Sequence, residues 1–279
     1  MLTGVDHVTV AVREIDAAVD AYERLLGAPP SWRGTHPALG TEGALFALSN
    51  AAVELVAPKP DAEESEGLRA RLAEQGEGLI ALAFSIADAG EWSQALRERG
   101  LRATPPEEGE AVGRGGEVRR YRTVELSQRT TRGVSVLGVE RPDQGSLRAA
   151  APVPAPCAEA LDHVVLRTAD ADAAVALYGT GLGVRLALDK SFDGARLLFF
   201  RTGRVTLECA QDPGVGDRDV LYGFAFRARD LDAAHARLRA AGVETSELRP
   251  GKKPGTRVFT VKSGTCGVPT LFVRDPARD

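Results

Sequence analysis

Val5-Asp6-His7-Val8, near the start of the chain, returns as Leu161-Asp162-His163-Val164, 156 positions later. The residues after the two copies also stay in step. Asp16-Ala17-Ala18-Val19, Tyr22 and Leu26-Gly27 are answered, at the same offset and without a gap, by Asp172-Ala173-Ala174-Val175, Tyr178 and Leu182-Gly183. Self-similarity of this length marks a duplicated structural unit. Inside each copy, residues that alternate with period 2 give way to residues spaced for one helix face. Residues 4–12 read as a strand. Ile15 to Leu26 reads as a helix with Ala18, Val19, Tyr22 and Leu26 on one side, ended by Gly27.

The same alternation continues along the chain. Extended segments are expected near 43–48 and 51–57, then a charged linking helix from Asp61 to Gln75. A second unit opens with a strand from Leu79 to Ala87, and Asp88 is placed to cap the next helix. That helix holds Trp92, Leu96 and Arg99 and stops at Gly100; strands come next near 119–126 and 133–139. Residues 141–159, rich in Ala and Pro, read as a linker. The third unit is a strand at 161–168, a helix at 170–182 and strands near 184–189, 195–201 and 204–210. The fourth is a strand at 219–228, a helix at 230–241 and strands near 243–248, 255–261 and 268–273. Units two and four match at an offset of 142, Ala83-Phe84, Asp88 and Arg99-Gly100 against Ala225-Phe226, Asp230 and Ala241-Gly242. The expected fold is α+β: four βαβββ modules, 1–57, 78–140, 160–211 and 218–275, in two domains, 1–140 and 160–279.

Composition narrows the function classes. The chain has 279 residues and a net charge of −4, which gives no electrostatic case for nucleic acid. Arg119-Arg120-Tyr121-Arg122 is a short basic run and reads as the solvated face of a strand. No apolar run approaches the roughly 20 residues needed to span a bilayer, and the first residues lack the basic and apolar regions of a signal peptide. Cys157, Cys209 and Cys266 are an odd count without metal-type spacing, which fits reduced thiols and a cytoplasmic location.

Four βαβββ units with Asp-His in the opening strand resemble the vicinal oxygen chelate superfamily. That superfamily includes glyoxalase I, extradiol dioxygenases, methylmalonyl-CoA epimerase and fosfomycin- and bleomycin-resistance proteins. The first half is also similar to its glyoxalase-like branch, through His36-Pro37-Ala38-Leu39-Gly40-Thr41, Ala44-Leu45 and Val53-Glu54-Leu55. The resemblance implies paired units whose mixed sheets curl into a cup around a divalent metal. Its ligands would come from the first and last strands of each unit. His7 and Glu54 match both positions in unit one, and His163 and Glu208 match both in unit three. Unit two offers Ala81 and about Leu137 there, and unit four offers Gly223 and about Leu271. Each cup then supplies two protein ligands, unless units one and three pair and bring all four together.

Strand alternation places Val8, Val10 and Val12 under the helix and turns His7 the other way, with Val5 and Thr9. Glu54 and Glu208 likewise oppose their apolar neighbours. A carboxylate on such a face is costly unless paired or bound to metal. Imidazole with carboxylate suits Zn, Mn, Ni, Co or Fe, and Glu54 or Glu208 is alternatively a general base. His36, beside Pro37, reads as a turn residue, with a place in the substrate pocket or a third ligand as the alternative. Tyr222 lines the second cup or faces the helix. His235 is expected to be exposed, Lys252 and Lys253 to be surface lysines, and Cys266 lacks a base that would make it a nucleophile.

The functional expectation is a glyoxalase-like enzyme, monomer or homodimer, acting on a small substrate with vicinal oxygens. The chemistry would be proton abstraction of lyase or isomerase type. The alternative is a metal-free protein that binds or sequesters a small molecule. Extradiol cleavage ranks lower, because it calls for two His in one cup.

Overall fold

The computed structural model describes residues 1–141, 158–192 and 194–276; most of the expected linker, with Cys157, lies outside them. Unit one runs β1 (Leu2–Ala11), α1 (Ile15–Leu26), β2 (Trp32–His36), β3 (Thr41–Ala47) and β4 (Ala52–Pro58). Helix α2 (Glu66–Gln75) leads to unit two: β5 (Gly78–Ile86), α3 (Ala89–Glu98), β6 (Glu107–Gly113), β7 (Val118–Glu125) and β8 (Ser135–Glu140). Unit three holds β9 (Ala160–Thr168), α4 (Ala171–Ala174) continuing into a π-helical stretch (Val175–Gly181), β10 (Arg185–Phe192), β11 (Ala195–Thr202) and β12 (Val205–Gln211). Unit four holds β13 (Val220–Arg227), α5 (Leu231–Ala240), β14 (Arg249–Pro250), β15 (Arg257–Val261) and β16 (Thr270–Arg274).

Helix ends obey the local chemistry. Gly27 takes the left-handed conformation that closes α1, its N–H bonding Glu23 O. Asp88 and Asp230 cap α3 and α5 by accepting from Glu91 N and Ala233 N. The apolar stripe of α1, including Ala18, Val19, Tyr22 and Leu26, is buried against Val8, Val10 and Leu55 in one apolar core that also contains Val164, Leu166 and Phe224 of the second half.

The units pair in chain order: β1 lies antiparallel to β5 and β9 to β13. This excludes a pairing of units one and three, so no site gathers both His–Glu pairs. In the first half the eight strands close into a barrel, β1-β4-β3-β2-β6-β7-β8-β5. The seam is β2 on β6, through Gly34–Gly113 and Thr35–Val112. The second half stays an open sheet, β10-β11-β12-β9-β13-β16-β15-β14. Strand β14 has only two residues, one of them Pro250, which has no N–H to offer a ladder. Segment 243–248, expected as a strand, forms only an isolated bridge at Thr245. Both β2 and β6 go unseen in the sequence: one is short and interrupted by Gly, the other is acidic and Gly-rich, and each is held by the other.

Candidate functional site

The Asp-His pair sits on a β-bulge in both halves. Along β1, Val5 pairs with Phe84 and His7 with Ala83, leaving Asp6 as the extra residue. Along β9, Leu161 pairs with Phe226 and His163 with Ala225, leaving Asp162. A bulge re-aims side chains that alternation would separate. Asp6 Oδ1 consequently lies 2.6 Å from His7 Nδ1, and Asp162 Oδ2 lies 3.0 Å from His163 Nδ1. With Nδ1 committed, Nε2 of each ring is turned into its cup, towards the glutamate expected from the sequence. His7 Nε2 is 3.3 Å from Glu54 Oε2, and His163 Nε2 is 3.9 Å from Glu208 Oε2.

The first cup holds a second imidazole. His36 ends β2, is buried, and stands 3.3 Å through Nε2 from Glu54 Oε1. It is therefore not a turn residue. Its Nδ1 lies 3.2 Å from Thr41 Oγ1. Its ring rests on Gly43, where a Cβ would come within 2.7 Å of Cε1, and it packs on Trp32 at 5.4 Å between centroids. The two imidazoles thus converge on the two oxygens of one carboxylate, and the His36 contact acts on Glu54 as a side-chain hydrogen bond. Behind His7, Arg141 grips Asp6 through Nε (3.0 Å to Oδ2) and Nη2 (2.9 Å to Oδ1) and lies 5.8 Å from the centre of the Tyr121 ring.

Charge runs along this chain of contacts. Burial opposes ionisation of Asp6, but His7 and Arg141 outweigh it and hold the carboxyl well below the usual range. Burial also opposes a charge on His7, yet Glu54 and Asp6 on either side raise its pKa. Glu54 is likewise buried, and His7, His36 and Arg141 bring its pKa down to about 2. A carboxylate that acidic is a weak general base at neutral pH, where the best catalytic pKa lies near the operating pH. At neutral pH it carries a negative charge.

The second cup lacks the second imidazole. Trp32 pairs with Leu45 and Leu45 with Glu54; Leu188 pairs with Phe199 and Phe199 with Glu208. Leu188 thus stands where Trp32 does, and four residues on, Phe192 replaces His36. Phe192 is exposed, and Lys252 Nζ lies 5.0 Å from its ring centre. Tyr222 falls beside a bulge in β13, partly exposed, under the Arg167 guanidinium at 3.5 Å. By strand alternation Arg167 shares the face of His163, so Tyr222 lies at the rim of the second cup, away from the first. His235 is buried, not exposed: its ring packs on Phe259 and Nε2 lies 2.9 Å from Ser246 O.

Asp6, Arg141, Trp32 and Tyr121 are site residues that sequence reasoning missed. The signal for Asp6 was available, since an acid recurring inside an apolar strand in both copies needs a partner. Arg141 was hidden by its place at the start of the linker.

The first-cup donors suit a divalent ion in kind. They are two imidazole nitrogens and a carboxylate ionised at neutral pH, and each ring is oriented by a bond to its other nitrogen, as metal-binding histidines are. Their spacing is open: among the described residues no three His, Cys, Asp or Glu side chains are gathered tightly enough to hold an ion as they stand. No helix among the described residues is long and apolar enough to cross a membrane.

Residues 5–145 match the family model described as the glyoxalase-like domain, and residues 160–278 match that of the glyoxalase/bleomycin resistance protein/dioxygenase superfamily. No curated protein matches the sequence. Among solved structures, the chain is similar to a mutant of 4-hydroxymandelate synthase from Streptomyces coelicolor, with a TM-score of 0.68 and 14% identity over 98% of this chain and 93% of that one. A hypothetical protein from Staphylococcus aureus gives 0.65 and 10% over 96% and 98%. Methylmalonyl-CoA epimerase from Mycobacterium tuberculosis gives 0.43 and 27% over 53% and 93%. At these identities the first two likenesses show the fold.

Proposed function

The chain belongs to the vicinal oxygen chelate superfamily, its first half to the glyoxalase-like domain family, and from that premise we propose that it is a divalent-metal-dependent enzyme working in its first cup. Its substrate is a small molecule with two adjacent oxygens. The observation that carries this reading is the approach of His7 and His36 Nε2, each to 3.3 Å, on the two oxygens of Glu54. His7, His36 and Glu54 hold the ion; when bound, it supplies Lewis acidity to one substrate oxygen. Asp6 fixes the His7 tautomer and Thr41 orients His36. Arg141 balances the charge of Asp6, and Glu54 stays ionised across the physiological range. Trp32, Leu45, Ala52 and Ala111 pack as an apolar cluster beside the donors. The reaction would be of lyase or isomerase type.

A second reading gains from His36. Oxygen-dependent cleavage ranks lower only while each cup holds a single His; two imidazoles and a carboxylate are the donor set of non-haem iron oxygenases. The test is metal content and calorimetric titration with Zn, Mn, Ni, Co and Fe(II), on the wild type and on His36→Ala and His163→Ala. Binding lost in the first variant and kept in the second is the expected result. No binding by the wild type, or equal loss in both, overturns the proposal. Assays with a 2-oxoaldehyde hemithioacetal and with catechol plus Fe(II) then separate the two reaction types.

A further inference from the structure

The basic run 119–122 divides between the two faces of β7. Arg120 and Arg122 point outward and meet acids, Glu110 at 2.9 Å and Glu108 and Glu140 at 3.1 and 3.2 Å. Arg119 and Tyr121 alternate with them and face the cup. Arg119 lies 5.5 Å over the Trp32 ring and, among the described residues, has no acid partner. Burial and the nearby Arg141 outweigh Glu117 and lower its pKa, so a cation is held there at a cost. Trp32 is 5% exposed, yet its Nε1–H is buried with no acceptor. A buried donor left unpaired keeps the cost of its desolvation. The Tyr121 hydroxyl has no hydrogen-bond partner among the described residues either; burial and Glu54 raise its pKa, so it stays a donor. Its ring lies over Gly109, where a Cβ would come within 2.2 Å. Three donors without acceptors thus lie beside a pair of aromatic rings, next to His36.

We infer that the mouth of the first cup is a carboxylate subsite: Arg119 pairs with a substrate carboxylate, Trp32 Nε1–H and the Tyr121 hydroxyl supply further donors to the substrate's oxygens, and its planar body lies against the aromatic rings. The substrate class becomes a planar organic acid with adjacent oxygens; this rests on the first cup being the working one. An acid meets each unmet need at once. It neutralises the cation, accepts from the indole and offers a flat face to the rings. A neutral sugar or a polyamine would meet none of them together.

Calorimetry on chelator-treated protein tests this with benzoate, its uncharged counterpart benzamide, and inorganic phosphate, comparing the wild type with Arg119→Gln. Benzoate should bind the variant at least about tenfold more weakly, a loss of about 1.4 kcal/mol, with benzamide affinity unchanged as the control for folding. Benzoate should also change the intrinsic fluorescence, and Trp32→Phe should abolish that change. Benzoate binding that is absent, or equal in both proteins, overturns the subsite. Phosphate binding with the same dependence on Arg119 overturns the assignment to a carboxylate. Metal titration of Arg119→Gln should match the wild type, so failure of the metal centre and failure of the subsite are read separately.

Discussion

Asp6 shows how one residue sets the chemistry of its neighbour. Its carboxylate accepts a hydrogen bond from Nδ1–H of His7, which leaves Nε2 as the cup-facing atom. Asp6→Asn should weaken metal binding roughly 10–100-fold, the usual cost of losing such a supporting contact, as read by calorimetric titration. The same contacts predict a pH signature in chelator-treated protein. His7 is raised above 6.5, so its contribution to stability is whole below that value and drains away as pH climbs through the folded-state pKa. Glu54 is depressed from 4.5 to about 2, so its contribution is whole above 4.5 and lost as pH falls towards 2. The stability gap between the wild type and His7→Gln, from urea titrations, should therefore be widest between about 4.5 and 6.5 and shrink on either side. A gap that is flat with pH would refute the charged arrangement.

At the level of elements, the seam between β2 and β6 is what brings His36 and Trp32 into the cup. It depends on glycine for space rather than for conformation. A Cβ on Gly34 would fall 2.2 Å from Val112 O and 2.5 Å from the Trp32 ring. Gly34→Ala should therefore spread the seam and cost about 1–3 kcal/mol, as overpacking does, measurable as a lowered urea midpoint. Gly43→Ala acts more locally. Its Cβ displaces the His36 ring, so metal affinity should fall while the urea midpoint changes little. Equal effects of the two substitutions would mean that the seam does not position the site. This is also where reading the chain element by element fails. The alternation that reveals β1, β5, β9 and β13 comes from burial on one face. Strand β2, with Gly34 at its centre, and the acidic β6 carry little such pattern, so their pairing is invisible in the sequence and His36 reads as part of a turn.

For the whole molecule, the two halves differ despite a common ancestry in sequence. One sheet closes and keeps two imidazoles; the other stays open and puts Phe192 in the second position. The prediction is one bound divalent ion per chain, unaffected by Glu208→Gln and removed by Glu54→Gln, as counted by mass spectrometry. Two ions per chain would restore the symmetric picture. The apolar core runs without a break from Val8 and Leu55 to Val164 and Phe224. The halves are also tied by Asn50 to the Leu161 backbone and by Arg132 to Asp219. A calorimetric scan should accordingly show a single transition, with calorimetric and van't Hoff enthalpies in agreement.

The repeat, the four units, the class of fold and the pairs His7–Glu54 and His163–Glu208 were all legible in the chain, because periodic burial and an internal duplication are properties of the order of residues. Which units pair, that one barrel closes and the other does not, and that His36 and Arg141 meet around Glu54 with Arg119 over Trp32 beside them were decided only by the tertiary structure. Those contacts join residues from β2, β4, β7 and the segment after β8, and no local pattern records a distance between strands that first meet when the sheet curls.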